Sequence, residues 1–222
     1  MAFRVWAPHA EAVSVAGTFN GWNPEANPLD REETGCWYGD VPGAKVGDEY
    51  RYHLRYRGES LWRIDPRARA VTDSKGNSVV HDPRFDWEGD DFTPEPIERL
   101  VLYELHVGTF NAEGGRGTLA SAAARLGHLR ELGFNGVTLM PVTEFVGDRG
   151  WGYDMSHLYA VESSYGGPQA LKEFVKAAHR EGIAVFLDVV YNHFGVEDNI
   201  LWRFDGWHRG KYGGIYFYQD AK

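Results

Sequence analysis

The sequence predicts a β-sandwich followed by an α/β segment built on parallel strands. Short, turn-punctuated β-runs fill roughly residues 1–97, and strand-like and helix-like runs alternate after them. A third observation is the stretch Ile183-Ala-Val-Phe-Leu-Asp188-Val-Val-Tyr-Asn192-His193. A wholly apolar run suits a strand buried on both faces of a parallel sheet. Asp188 and His193 appear where that strand should end. In a β/α barrel, polar residues at the C-terminal ends of strands read as site residues, because the interior below them is packed with apolar side chains.

The front region reads as strands at residues 3–6, 12–16, 37–41 and 49–56. Turn signals separate them: Asn20-Gly21, Asn23-Pro24, Pro42-Gly43, Arg57-Gly58 and Lys75-Gly76-Asn77. Glycine numbers 27, about 12% against a usual share of about 7%, which fits many tight turns. Acidic residues and two prolines at 90–96 mark a linker. Beyond it, residues 100–107 read as a strand. Thr118 is placed to cap a helix whose apolar face is Leu119, Ala122, Leu126, Leu129 and Leu132, ended by Gly133. Residues 137–140 read as a second strand. Pro168 opens a second helix with the stripe Leu171, Phe174, Val175 and Ala178, closed by Gly182. The third strand follows. The alternation implies a parallel sheet, either a barrel or a doubly wound fold. No GxGxxG or P-loop opens either helix, so a nucleotide-binding doubly wound fold has no motif behind it.

Composition narrows the partners. A formal net charge of -9 repels nucleic acid and anionic membranes, and leaves neutral substrates unaffected. Aromatic residues make up 14%, including 8 Trp, and supply flat apolar platforms. The single cysteine, Cys36, forms no internal disulfide and suits a reducing compartment. No signal-like or membrane-length apolar run is present. The expectation is a cytoplasmic protein without nucleic-acid or membrane partners.

Several phrases together resemble the α-amylase family of retaining glycoside hydrolases and glucanotransferases. Asp188-Val-Val-Tyr-Asn192-His193 is similar to the family's first conserved region at the end of the third barrel strand. Gly133-Phe-Asn-Gly-Val-Thr-Leu-Met-Pro141 resembles its second strand, and Trp151-Gly-Tyr153-Asp154 the loop whose tyrosine stacks on a sugar. Phe3-Arg-Val-Trp-Ala-Pro8 and Gly17-Thr-Phe-Asn-Gly-Trp22-Asn resemble the glucan-binding module that precedes branching and debranching enzymes. The order, module then barrel, matches branching enzymes and malto-oligosyl trehalose trehalohydrolases. The resemblance implies an immunoglobulin-like sandwich at 1–97, then the first three βα units of an incomplete (β/α)8 TIM barrel at 98–222.

The resemblance also implies roles. Asp188 would organise the catalytic centre without being the nucleophile, His193 would hydrogen-bond the sugar, and Tyr153 would lay its ring face on it. In the module, Trp22, Trp62 and Asn77 align with residues that hold glucan; a tryptophan face suits the apolar side of glucose, and Asn pairs with hydroxyls. The bland alternative for these positions is purely structural. Trp37 and Trp87 are expected in the core or at a domain boundary. Asn192 matches a calcium-binding position of many α-amylases, but branching-type members usually lack the ion. No metal and no cofactor are expected.

Retaining chemistry needs a nucleophile and an acid/base carboxyl group flanking the bond. In the family these follow the fourth and fifth strands, and this chain reaches the third. Arg203-Phe-Asp205 has the nucleophile's Arg-x-Asp spelling but follows His193 too closely for a helix and strand to intervene. Arg63-Ile-Asp65 lies in the sandwich, and His81-Asp82 precedes the first barrel strand. Glu104, Glu144 and Asp154 match no family catalytic position. The expectation is therefore the N-terminal part of a 1,4-α-glucan branching enzyme, inactive alone, with α-glucan (glycogen, starch, malto-oligosaccharide) as partner. The alternatives are a malto-oligosyl trehalose trehalohydrolase or a non-catalytic glucan-binding protein. Three strands cannot close a barrel, so their uncovered edges would leave a C-terminal half that is poorly ordered or self-associating.

Overall fold

The computed structural model describes residues 1–112, 114–195 and 199–217. The chain forms two compact units: residues 1–82 with 198–222, and residues 83–197.

The first unit holds two antiparallel sheets. One has the order β1 (Ala2–Trp6), β4 (Cys36–Asp40), β3 (Asp30–Arg31). The other runs β2 (Ala12–Gly17), β5 (Glu49–Tyr56), β6 (Glu59–Arg63), with β7 (Ser78–Val79) on β5. Strand alternation sends Phe3 and Val5 of β1, and Tyr50, Tyr52 and Leu54 of β5, into a shared core with Val13, Val15 and Trp37. Glu49, Arg51, His53 and Arg55 consequently face outward. Arg57 and Gly58 join β5 to β6 with φ of 48° and 79°, the two left-handed residues of a two-residue hairpin. Trp37 is in the core as expected, its indole N–H donating to Ala7 O at 3.0 Å.

The segment 199–217 adds to this core. Phe204 is fully buried within it, and Ile215 and Tyr216 pack on it. Arg63 donates to Phe204 O (2.6 Å) and Arg203 O (3.0 Å). Asp205, also fully buried, accepts from the His9 backbone N–H (3.0 Å) and pairs with His9 Nδ1 (2.9 Å), while the His9 ring stacks on Trp207 at 4.4 Å. The Arg-x-Asp spelling at 203–205 thus serves the sandwich. The compact units cut the chain differently from the 97/98 division expected of the modules.

The second unit carries a three-stranded parallel sheet in the order β10 (Ala184–Leu187), β9 (Gly136–Leu139), β8 (Leu102–Leu105). Leu105, Leu139 and Leu187 align across it. Its helices are α1 (Val107–Phe110), α2 (Leu119–Ala123), α3 (Leu126–Glu131) and α4 (Gly167–Arg180). Leu105, Leu119, Ala122, Leu126, Leu129, Val137, Leu139, Phe174 and Ala178 form the core. Thr118 caps α2 by accepting the Ser121 N–H at 3.1 Å, and Ser121 Oγ accepts the Thr118 N–H at 2.9 Å.

Three expectations are corrected here. The first strand is shorter than 100–107, because His106 turns the chain into α1. The helix expected from 119 to 132 breaks at Arg125 (φ −109°, ψ 4°), and Leu132 leaves the apolar face to stand 61% exposed. The third strand is not buried throughout: Phe186 and Leu187 of β10 are exposed, and among the described residues β10 is an edge strand paired with β9 alone.

The expected linker is fastened down within this unit. Lys172 and Lys176 of α4 both reach the Phe85 ring, and Lys172 donates to Pro83 O at 2.7 Å. Lys176 pairs with Glu88 at 3.1 Å, and His179 meets Asp90 at 2.5 Å beneath the stacked ring of Phe92. Trp87, expected in the core or at a domain boundary, is not in the core: it is 40% exposed and packs edge-on against Phe85. Among the described residues, no helix is long and apolar enough to cross a membrane.

Candidate functional site

Two of the residues expected at the sheet's C-terminal edge meet. Tyr153 Oη donates to Asp188 Oδ2 at 2.6 Å, a charge-assisted bond between a loop tyrosine and the residue that follows β10. That hydrogen bond, more than partial burial or the charges of Asp188 and Glu104, lifts the phenol above its ordinary pKa. Asp188 is placed by the ladder itself, its N–H donating to Leu139 O at 2.9 Å.

His193 lies further out. It is exposed and paired with Asn192 Nδ2 at 2.9 Å. Its segment is nevertheless tied to the tyrosine loop, since Gly195 N–H donates to Met155 O at 3.0 Å. A Cβ on Gly195 would stand 2.7 Å from that oxygen, so the close approach requires glycine.

The loop from 141 to 162 folds back on itself and is braced by two buried carboxylates. Glu144, 1% exposed, accepts from Ser163 N–H (2.6 Å) and Ser163 Oγ (3.2 Å). Glu162, fully buried, accepts from Phe145 N–H (3.1 Å) and Ser164 N–H (3.0 Å). Each carboxylate holds the other's neighbours, and neither faces solvent. Glu104 and Asp154 are exposed. The loop surrounds a cavity of about 550 Å³ walled by Phe145, Val146, Trp151, Tyr153 and Asp154. Trp151, 68% exposed, was not singled out from the sequence. The signal was there, an aromatic between Gly150 and Gly152.

In the sandwich, Trp62 lies opposite His53, and the two rings pack at 5.0 Å. His53 is held below its usual pKa, first by burial and then by Arg55. On the same outward face Arg51 donates to Asn77 Oδ1 (2.7 Å), and Asn77 Nδ2 donates to Glu49 (2.7 Å). Trp62 and Asn77 therefore share one face, with Asn77 oriented by its neighbours. Trp22 sits half-buried on the loop after β2 with φ of 62°, a left-handed backbone that a bulky residue rarely adopts. Among the described residues, no group of three or more His, Cys, Asp or Glu could hold a metal ion.

The chain thus combines an antiparallel sandwich with a parallel β/α sheet that carries an Asp–Tyr pair at its C-terminal edge. Residues 69–212 match the family model "Alpha amylase, catalytic domain", and residues 1–68 match "Carbohydrate-binding module 48 (Isoamylase N-terminal domain)". The chain belongs to the α-amylase family, with an N-terminal carbohydrate-binding module and part of the catalytic domain. It is 36% identical over 96% of its length to a malto-oligosyltrehalose trehalohydrolase from Saccharolobus solfataricus, and 35% identical over 95% to the 1,4-alpha-glucan branching enzyme GlgB of Salinibacter ruber. In each case it spans 36% of the relative. A putative alpha amylase from Salmonella typhimurium superposes with TM-score 0.80 at 39% identity, over 90% of this chain and 33% of that one. A pullulanase from Anoxybacillus, crystallised with maltotetraose, superposes with TM-score 0.69 at 26% identity, over 87% of this chain and 33% of that one.

Proposed function

We propose that this chain is the N-terminal portion of a 1,4-α-glucan branching enzyme. The observation that carries the reading is the Tyr153–Asp188 pair beside an aromatic cavity at the C-terminal edge of the parallel sheet. Tyr153 would offer its ring to the apolar face of a glucose unit, as Trp151 could beside it. Asp188 and His193 would bond that sugar's hydroxyls. In the branching reaction a covalent glucosyl-enzyme is attacked by a glucan 6-hydroxyl, and this requires a nucleophile and an acid/base carboxyl group. No carboxyl group of this chain is assigned either role, so the chain alone is proposed to be inactive. A second reading, a trehalohydrolase, is favoured by the Saccharolobus solfataricus relative and by a further one. The trehalohydrolase of Arthrobacter ramosus is 41% identical over 90% of this chain. There water would attack instead.

The sandwich face of Trp62 and Asn77, with the Trp22 loop, is proposed as a second glucan contact. The uncovered strands β8 and β10, with Leu102, Phe186 and Leu187 exposed, are proposed as self-association edges. The modules are proposed to divide near residue 97, and the protein to reside in the cytoplasm.

Two assays test the reading. Incubation of pure chain with amylose should leave the iodine colour unchanged, and a colour change would overturn the inactive assignment. The chain should be retarded on an amylopectin affinity gel, with retardation reduced in Trp62→Ala. Equal mobility with and without amylopectin would remove the glucan reading for the sandwich.

A further inference from the structure

The loop that carries Tyr153 is seated at three points, one at the end of each parallel strand. At the end of β10, Asp188 accepts the Tyr153 hydroxyl. Two residues past β9 lies Pro141, against which Gly152 is pressed. At Gly152, φ is +81° and an added Cβ would lie 2.4 Å from Pro141 O. Directly after β8 comes His106, whose Nε2 lies 3.1 Å from Gly150 O. A carbonyl oxygen only accepts, so Nε2 carries the proton. Nδ1, 2.9 Å from Thr109 Oγ1, is then free to accept the Thr109 hydroxyl. Tyr165 Oη stands 3.2 Å from Nε2 and shares its proton. The imidazole is thus held on both nitrogens and aimed at one carbonyl of the loop. Gly150 packs close over the Phe145 ring, from which an added Cβ would lie 2.7 Å.

We propose that His106 is a positioning residue for the sugar-facing loop, fixing Gly150 so that Trp151 and Tyr153 present their rings at a set height above the sheet. The proposal rests on the glucan reading of this edge. His106 touches no sugar in this scheme and acts through the backbone of residues 150–153. The exposed Arg116–Asp148 ion pair holds the loop from the other direction and is screened by salt.

The test compares His106→Leu, which cannot donate, with His106→Gln, whose amide nitrogen reaches a similar place. The first readout is tryptic cleavage of the Arg149–Gly150 bond, followed by mass spectrometry under native conditions. His106→Leu should raise that cleavage rate about tenfold, the factor corresponding to about 1.4 kcal/mol, while His106→Gln stays near wild type. The second readout is tryptophan-fluorescence titration with maltoheptaose in a Trp62→Ala background, which removes the proposed sandwich contact and leaves Trp151 as the reporter at this edge. Affinity should fall about tenfold in the leucine variant and recover in the glutamine variant, with amylopectin retardation unchanged in both. Unchanged cleavage in His106→Leu, or equal damage in both variants, would overturn the proposal. If the chain with His106 intact shows no maltoheptaose response in that background, the glucan reading of this edge fails, and the cleavage comparison still decides whether His106 holds the loop.

Discussion

Truncating Phe204 to alanine should destabilise the sandwich, although the residue lies about 140 positions from Arg63, its hydrogen-bond partner there. The ring is fully buried and meets Tyr216 at 5.8 Å. Removing a buried phenylalanine ring costs about 3–5 kcal/mol, as lost transfer energy plus a cavity. With a urea slope of about 2 kcal/mol/M, the midpoint should drop by about 1.5–2.5 M. Six of the 8 tryptophans lie in this unit, so tryptophan fluorescence reports mainly its unfolding. Val46→Ala, at a residue 53% exposed, is the control and should change stability by no more than about 0.5 kcal/mol. A midpoint shift for Phe204→Ala below about 0.5 M would refute the argument that this segment completes the core.

Two further outcomes concern single groups. Thr118→Ala removes one half of a reciprocal cap and should cost the second unit about 1 kcal/mol, read by urea titration of the far-UV circular dichroism signal; no measurable loss would show the cap to be redundant. Burial holds the Asp65 carboxyl above its ordinary pKa despite hydrogen bonds from the Tyr50 hydroxyl and Arg67 N–H. The unfolded chain therefore releases this proton first, near pH 3.9, and ionisation favours unfolding from there up through the folded value. The stability of Asp65→Asn relative to wild type should accordingly improve as pH is raised from about 3 to about 7. A gap that stays constant over that range would show that Asp65 does not titrate differently in the two states.

Local patterns were readable where local chemistry decides the outcome. Thr118 caps because its side chain reaches Ser121 three residues on, and Leu119, Ala122, Leu126 and Leu129 are buried because helical spacing puts them on one side. Leu132 escaped that logic, since the break at Arg125 restarts the helix axis and moves the register. Tyr153 and Asp188 were each named only through family resemblance, which did not imply the bond between them. Nothing local announces that Asp205 would satisfy His9, because the two come together only in the folded unit. Lys176 is a comparable case. Its spacing suggests a solvated helix face, yet residues 85–88 cover it, leaving its side chain 8% exposed. The left-handed backbone of Trp22 was equally invisible, being a property of the turn that follows β2 rather than of tryptophan.

The return of residues 199–217 to the sandwich bears on how the module can be excised. A clone ended at residue 97, or at the end of the module match at 68, would keep every strand of both sheets or lose only β7, yet in either case would omit the side chains that plug their core. Such a piece would open an apolar hole where Phe204 sits and strip Arg63 and His9 of their partners. Poor behaviour of that fragment on a starch column would then report a missing plug rather than a missing affinity.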